Sequence, residues 1–116
     1  MKRGDIYWAN LAPRSGSEQT GKRPVIILSH DAFNETPKWR SIIVIPVSTS
    51  PAQARRGPTV VTLPAGSADL KSDSSAICHQ VTTLDRAKLE ERLGTLPADI
   101  MIQVEKALLA ALDIRR

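Results

Sequence analysis

One cysteine, Cys78, stands in 116 residues, so no disulfide can form within the chain and no multi-cysteine zinc pattern exists. Its setting, "AICHQV", is that of a small buried hydrophobe, and such cysteine usage fits a reducing cytoplasm. Aromatics are almost as scarce: Tyr7, Trp8, Phe33 and Trp39 are the whole set. No apolar run approaches the roughly eighteen residues that span a bilayer, and Lys2 and Arg3 lead into Gly4 and Asp5 instead of a signal-peptide core, so neither a membrane span nor a leader is expected. Only two histidines are present, and His30 lies beside Asp31, without metal-ligand spacing. No P-loop ending GK[ST] occurs, and there are no repeats or linkers.

What is present is a chain of one-domain length, residues 1–116, with a formal net charge of +4. That charge suits a polyanion or an acidic protein, and equally a mildly basic surface. "GDIYWANLAP" favours strand and ends at a proline. "RPVIILS" and "SIIVIPVST" are branched apolar runs too short for helices. Pro24 opens the first run, and Pro46 interrupts the second at an edge or bulge. "TVVTLP", "SAICHQVTTL" and "RLGTL" read as further strands, "PAQARRGP" as a loop and "AGSADLKSDS" as an exposed turn-rich segment. Asp85 can cap a short helical turn over "RAKLEE". From Pro97 to Leu112 the pattern is helical, with Ile100, Val104, Leu108 and Leu112 at i, i+4 spacing. The expected fold is mainly β: five or six short antiparallel strands in a small curled barrel or half-barrel, with a C-terminal amphipathic helix.

Three polar clusters carry the chemistry. The loop "GSEQTGK" brings Glu18 and Gln19 to the mouth of the first core strand, where Arg23 begins it. A guanidinium fixed there matches a phosphate bidentately, or pairs with Glu18 to pin the loop. Ser48 and Thr49 end the next strand and can bond a phosphate oxygen or satisfy their own turn. His79, beside Gln80, is suited to proton transfer near neutral pH, or is a satisfied structural histidine. His30 reads as a turn or surface residue and Asp31 as a cap. If "IYWAN" is a regular strand, Tyr7 or Trp8 faces outward, able to stack on a base or fill a dimer contact. These groups favour metal-free phosphate chemistry without a cofactor. With RNA, the 2′-hydroxyl is an internal nucleophile, and a base, an acid and an anion clamp suffice.

The stretch "RGDIYWANLAPRSGSEQTGKRPVIILSHDAFN" resembles the N-terminal signature of the MazF/PemK toxin family, endoribonucleases of toxin–antitoxin pairs. "VIPVSTS" and "DSSAICHQVTTLDRAKL" are similar to its next strand and its late strand and turn, so the likeness covers nearly the whole chain. It implies an SH3-like barrel, a homodimer with single-stranded RNA across its face, and a cognate antitoxin whose acidic disordered tail competes for the groove. It implies Arg23 as the catalytic arginine, Ser48 or Thr49 as the hydroxyl, Glu18 and Gln19 bordering the site, and Gln80 as the late-strand glutamine. The chain departs from the family at His79, where Glu or Asp is common, and at Thr82, where many members carry arginine. Some members pair an Asp at position 79 with an arginine at 77 and a histidine at 17, where this chain has Ile77 and Ser17. His79, or failing it Glu18, is then the expected base, and Arg55 and Arg56 are backbone contacts or solvated loop charges. The products expected are a 2′,3′-cyclic phosphate and a 5′-hydroxyl. The alternatives are a non-catalytic RNA- or DNA-binding module and a CcdB-like toxin that binds a protein target.

Overall fold

The computed structural model describes residues 1–11, 16, 21–55 and 57–115. Seven strands form one antiparallel sheet: β1 (Asp5–Asn10), β2 (Lys22–Ile27), β3 (Ser41–Ser48), β4 (Val60–Leu63), β5 (Ser74–Ile77), β6 (Thr82–Asp85) and β7 (Leu89–Thr95). Two short helices, α1 (Asp31–Asn34) and α2 (Pro51–Ala54), flank β3, and α3 (Ala98–Ala111) closes the chain. The "PAQARRGP" segment, read as loop, thus opens with a helical turn that begins at Pro51, where a missing N–H costs nothing.

The expected small curled, SH3-like barrel does not form. The ladder runs open in the order β4-β5-β3-β2-β1-β7, with β6 also on β3, and no ladder joins β4 to β7 among the described residues. The reason is local. The 3₁₀ turn Ser67–Asp69, between β4 and β5, packs its backbone against Gly94 of β7. Contact there is made by a turn, which has no strand edge to offer. β4 and β5, four residues each, are also too short to reach further.

The apolar runs lack alternation because both faces of the sheet are covered. Ile6, Ile26, Ile45 and Val47 enter one cluster with Val104 and Ala107 of α3. Ala9, Val25, Ile27, Ile42, Val44 and Leu84 form a second on the opposite face. Neighbours along each strand therefore go to different cores, and every position is apolar. Pro46 sits inside a central strand, not at an edge. Ile43 turns its backbone carbonyl towards Leu28 and Ser29 beyond β2, so Pro46, three residues on, faces the opposite flank. There β3 changes partner, from β6 (41–44) to β5 (47–48), and position 46 has no ladder partner on that flank. A proline is accepted where no ladder N–H is needed.

The same interruption divides the expected continuous strand "SAICHQVTTL": a 3₁₀ turn, Cys78–Gln80, separates β5 from β6. Asp85 does cap the next turn, accepting from the Ala87 N–H at 2.8 Å, but strand resumes at Leu89. In α3, Val104 and Ala107 are buried, with Ile100, Met101 and Leu108 beside them. Leu112, expected in that stripe, lies past the end of the helix and is exposed.

The N-terminal "RGD" is consumed by the fold. Buried Asp5 accepts from the Lys2 N–H at 2.9 Å and the Thr95 hydroxyl at 2.7 Å, and Arg92 lies 3.4 Å from it. Arg3 donates to the Leu28 carbonyl and pairs with Glu105 of α3 at 2.7 Å. His30 is the N-cap of α1, its Nδ1 accepting from the Ala32 N–H, and Asp31 sits in the first turn. The Arg3 N–H, then the Asn34 amide, hold the Asp31 carboxyl below its ordinary range. Any stability this gives is present above about pH 4 and drains away as pH falls through the lowered folded value.

Cys78 is fully buried, as expected, and burial pushes its thiol up to about 12. At pH 8 the native thiolate fraction is then on the order of 10⁻⁴, against about a quarter in an unfolded chain. Ellman's reagent at pH 8 should therefore react with Cys78 only as fast as the protein opens, and promptly in denaturant. Rapid native reaction would contradict the burial.

Candidate active site

Where β1, β2 and β7 meet the end of β3, an open groove of about 480 Å³ is formed. Trp8, Lys22, Arg23 and Pro24 line it from the first two strands, Val47 and Thr49 from the end of β3, and Glu91 and Leu93 from β7. Residues 69–72 and Ser74 complete it. Arg23 is the second residue of β2, its Cα paired with that of Ala9, so its backbone is fixed by the ladder while the side chain reaches the groove.

Lys22 forms an ion pair with Glu90 at 2.9 Å, and its ammonium lies 5.7 Å from the centre of the Trp8 ring. The Glu90 hydrogen bond, with Glu91 adding to the field, holds the Lys22 ammonium above its usual range. The groove thus offers three cations, Lys22, Arg23 and Lys71, a half-buried indole and the hydroxyls of Thr49, Ser72 and Ser74. That set suits a nucleotide: cations for phosphate, a ring for a base, a hydroxyl for an oxygen. The question of which neighbour faces outward resolves in favour of Trp8, since Tyr7 packs against the second core.

Of the expected site residues, the structure brings Arg23 and Thr49 together in this groove. Ser48 is buried, and its Oγ accepts from the Ser50 N–H at 3.1 Å, the turn role weighed for it. His79 is exposed on the 3₁₀ turn, with Nδ1 2.8 Å from the Thr59 hydroxyl, and is not among the groove's lining residues. Gln80 shares that turn, and Arg55 is the C-cap of α2. Glu18, Gln19 and Arg56 lie outside the described residues, and so does any Glu18–Arg23 pair. Sequence reasoning passed over Asp69, Lys71, Ser72 and Glu91. Only the two-residue spacing of Glu91 and Leu93 signalled that they share a face.

Residues 2–112 match the family model described as PemK-like, MazF-like toxin of type II toxin-antitoxin system. The chain belongs to the MazF/PemK toxin family. As a MazF-like toxin it is an endoribonuclease. The endoribonuclease MazF of Staphylococcus epidermidis is 36% identical over 108 residues, covering 93% of this chain and 88% of that protein. The crystal structure of MazF (Form-I) from Deinococcus radiodurans superposes with a TM-score of 0.80 at 31% identity, over 97% of this chain and 96% of that one. A MazE–MazF structure (Form-II) from the same organism gives 0.74 at 30% identity, over 99% and 97%. Similarity therefore runs over nearly the whole length of this MazF-like chain. Among the described residues, no three His, Cys, Asp or Glu side chains gather as a metal site, and no helix is long and apolar enough to cross a membrane.

Proposed function

We propose that the toxin cuts single-stranded RNA in the groove through the RNA's own 2′-hydroxyl. The observation that carries this reading is the convergence of Arg23, Lys22, Trp8 and Thr49 on one groove. The 2′-oxygen attacks the adjacent phosphorus as its proton passes to a base. The P–O5′ bond breaks, O5′ takes a proton, and a 2′,3′-cyclic phosphate and a 5′-hydroxyl result. Arg23 binds the non-bridging oxygens as charge grows on them, and the Thr49 hydroxyl positions the phosphate. Trp8 stacks on a neighbouring base.

For the base, the placement of His79 outside the groove lining, with Nδ1 on Thr59, supports Glu18, whose loop leads directly into Lys22 and Arg23. Ser48 then supports the turn that presents Thr49. Gln19, Gln80, Arg55 and Arg56 are assigned to the path of the RNA strand beyond the reacting phosphate. The partner is an antitoxin whose acidic tail competes for Lys22 and Arg23. Two copies form a homodimer, for which exposed Ile43 on β3 and Ile102 on α3 offer apolar surface.

The test is cleavage of a long single-stranded RNA in excess EDTA, beside duplex RNA and single-stranded DNA, with end-group analysis across pH. Cutting confined to single-stranded RNA, with cyclic phosphate ends, is expected. A glutamate base predicts kcat/KM that holds well to the acid side of neutral, whereas a histidine base predicts a fall nearer neutral pH. Loss of cutting in EDTA, or 3′-hydroxyl ends, would overturn the chemistry.

A further inference from the structure

Lys22 and Arg23 suit a phosphate, but the same groove contains two carboxylates, Asp69 and Glu91. A carboxylate is acceptor-only and repels phosphate, so towards RNA it serves donors, the 2′-hydroxyls and the amino and imino groups of base edges. The two acids differ in setting. Glu91 lies in the field of Lys22 on a strand that already supplies Glu90 to that lysine. Asp69 stands on a segment built to hold it.

That segment is constrained at every turn. Ala68 (φ 47°) and Asp69 (φ 62°) are consecutive left-handed residues that are not glycine. Alanine rarely adopts that conformation, and it persists only where the surroundings enforce it. Here the Ser67 N–H donates to the Pro64 carbonyl at 3.0 Å, Leu70 N–H to Ser67 at 2.9 Å and Gly66 N–H to Leu70 at 2.7 Å. The Asp73 carboxylate accepts from the Ala65 N–H at 2.9 Å, and Leu70 is buried in the main core. On the far side the Ala68 backbone lies so close to β7 that a Cβ on Gly94 would stand 2.8 Å from its carbonyl carbon and oxygen. A carboxylate on so fixed a backbone is pre-organised for a partner of defined shape.

We propose that Asp69, presented by this segment clamped on Gly94, reads a guanine of the RNA in the groove, its two oxygens accepting from guanine N1–H and the N2 amino group. The assignment rests on the RNA-cleaving reading above and adds base selectivity to it. Guanine alone offers two parallel donors on its Watson–Crick edge. Adenine and cytosine present one amino group beside an acceptor, and uracil flanks its single N–H with two carbonyls that a carboxylate repels.

The experiment maps cleavage sites of the full chain on a randomised single-stranded RNA pool, for the parent, Asp69→Asn and Gly94→Ala. Asparagine tolerates the left-handed region well, so Asp69→Asn keeps the fold, checked by circular dichroism. The parent is expected to cut with guanine at one fixed position. Asp69→Asn should cut RNA still, with that preference reduced about 5- to 100-fold, the range of one lost bidentate base contact. Gly94→Ala, which displaces the segment, should weaken the same preference and no other. A parent with no fixed guanine, or an unchanged preference in Asp69→Asn, overturns the assignment while leaving the nuclease reading intact. A parent that cuts no RNA overturns the nuclease reading instead. Anisotropy with 2′-O-methyl oligonucleotides carrying guanine or inosine at each position then decides the role of Asp69. Discrimination against inosine, which lacks the N2 amino group, that vanishes in Asp69→Asn supports it, and equal affinities overturn it.

Discussion

Arg23→Ala should lower the rate of RNA cleavage by about 10²–10³-fold, the cost typical of removing one donor that stabilises a transition-state anion. The melting temperature should hardly move. Arg23 is second in β2, its backbone is held beside Ala9, and its half-exposed side chain projects into the groove and not into either core. Substitutions outside a core usually change stability by about 0.5 kcal/mol or less. Arg23→Lys separates charge from geometry: it restores the cation without the fork, and should recover only part of the rate if two parallel hydrogen bonds to the phosphate matter. The measurement is single-turnover cleavage of a defined RNA by folded variants. A parent-like rate in Arg23→Ala would remove the central element of the proposed mechanism.

Much of this site was legible because its anchors are local. "KRPVII" announces a strand whose first residues precede its buried ones, and that alone puts Arg23 at the boundary between loop and core. The hydroxyl pair after "VIPV" was legible for the same reason, although only the structure separates buried Ser48 from exposed Thr49. What the sequence hides is assembled at a distance. "AGSADLKSDS" is polar and turn-rich, and nothing in it reveals that Gly94, some twenty-five residues on, leaves room for Ala68 and so turns the segment into part of a groove. The break at Cys78–Gln80 is hidden likewise. Strand-favouring composition runs through it, but β3 has no paired position to offer opposite Pro46. The open sheet belongs with these. Six strand segments are legible locally and the seventh strand comes from that hidden break, whereas the meeting of the first and last edges depends on what lies between them.

Ile45→Ala should cost about 2–5 kcal/mol, out of a total stability on the order of 5–15 kcal/mol. Ile45 is fully buried and belongs to the core that α3 covers. Its strand is the most constrained in the sheet, paired with β2 on one flank and with β5 and β6 on the other. A cavity opened there cannot collapse by moving β3 without disturbing three ladders, which places the cost towards the upper part of that range. Ile43 provides the control. It lies two residues away on the same face, but beyond the cover of α3 it is 39% exposed. Ile43→Ala should therefore cost less, about 1–2 kcal/mol, since less apolar area is buried there and no closed cavity is left. Urea unfolding of both variants measures the difference directly, with midpoints compared at constant m. Equal losses would mean that position 43 is covered in solution, as a homodimer contact on β3 would require, and the Ile43 loss would then fall on dilution. Unequal losses that do not change with protein concentration would rule out β3 as the surface of the proposed homodimer, leaving exposed Ile102 on α3 as the apolar surface to test next.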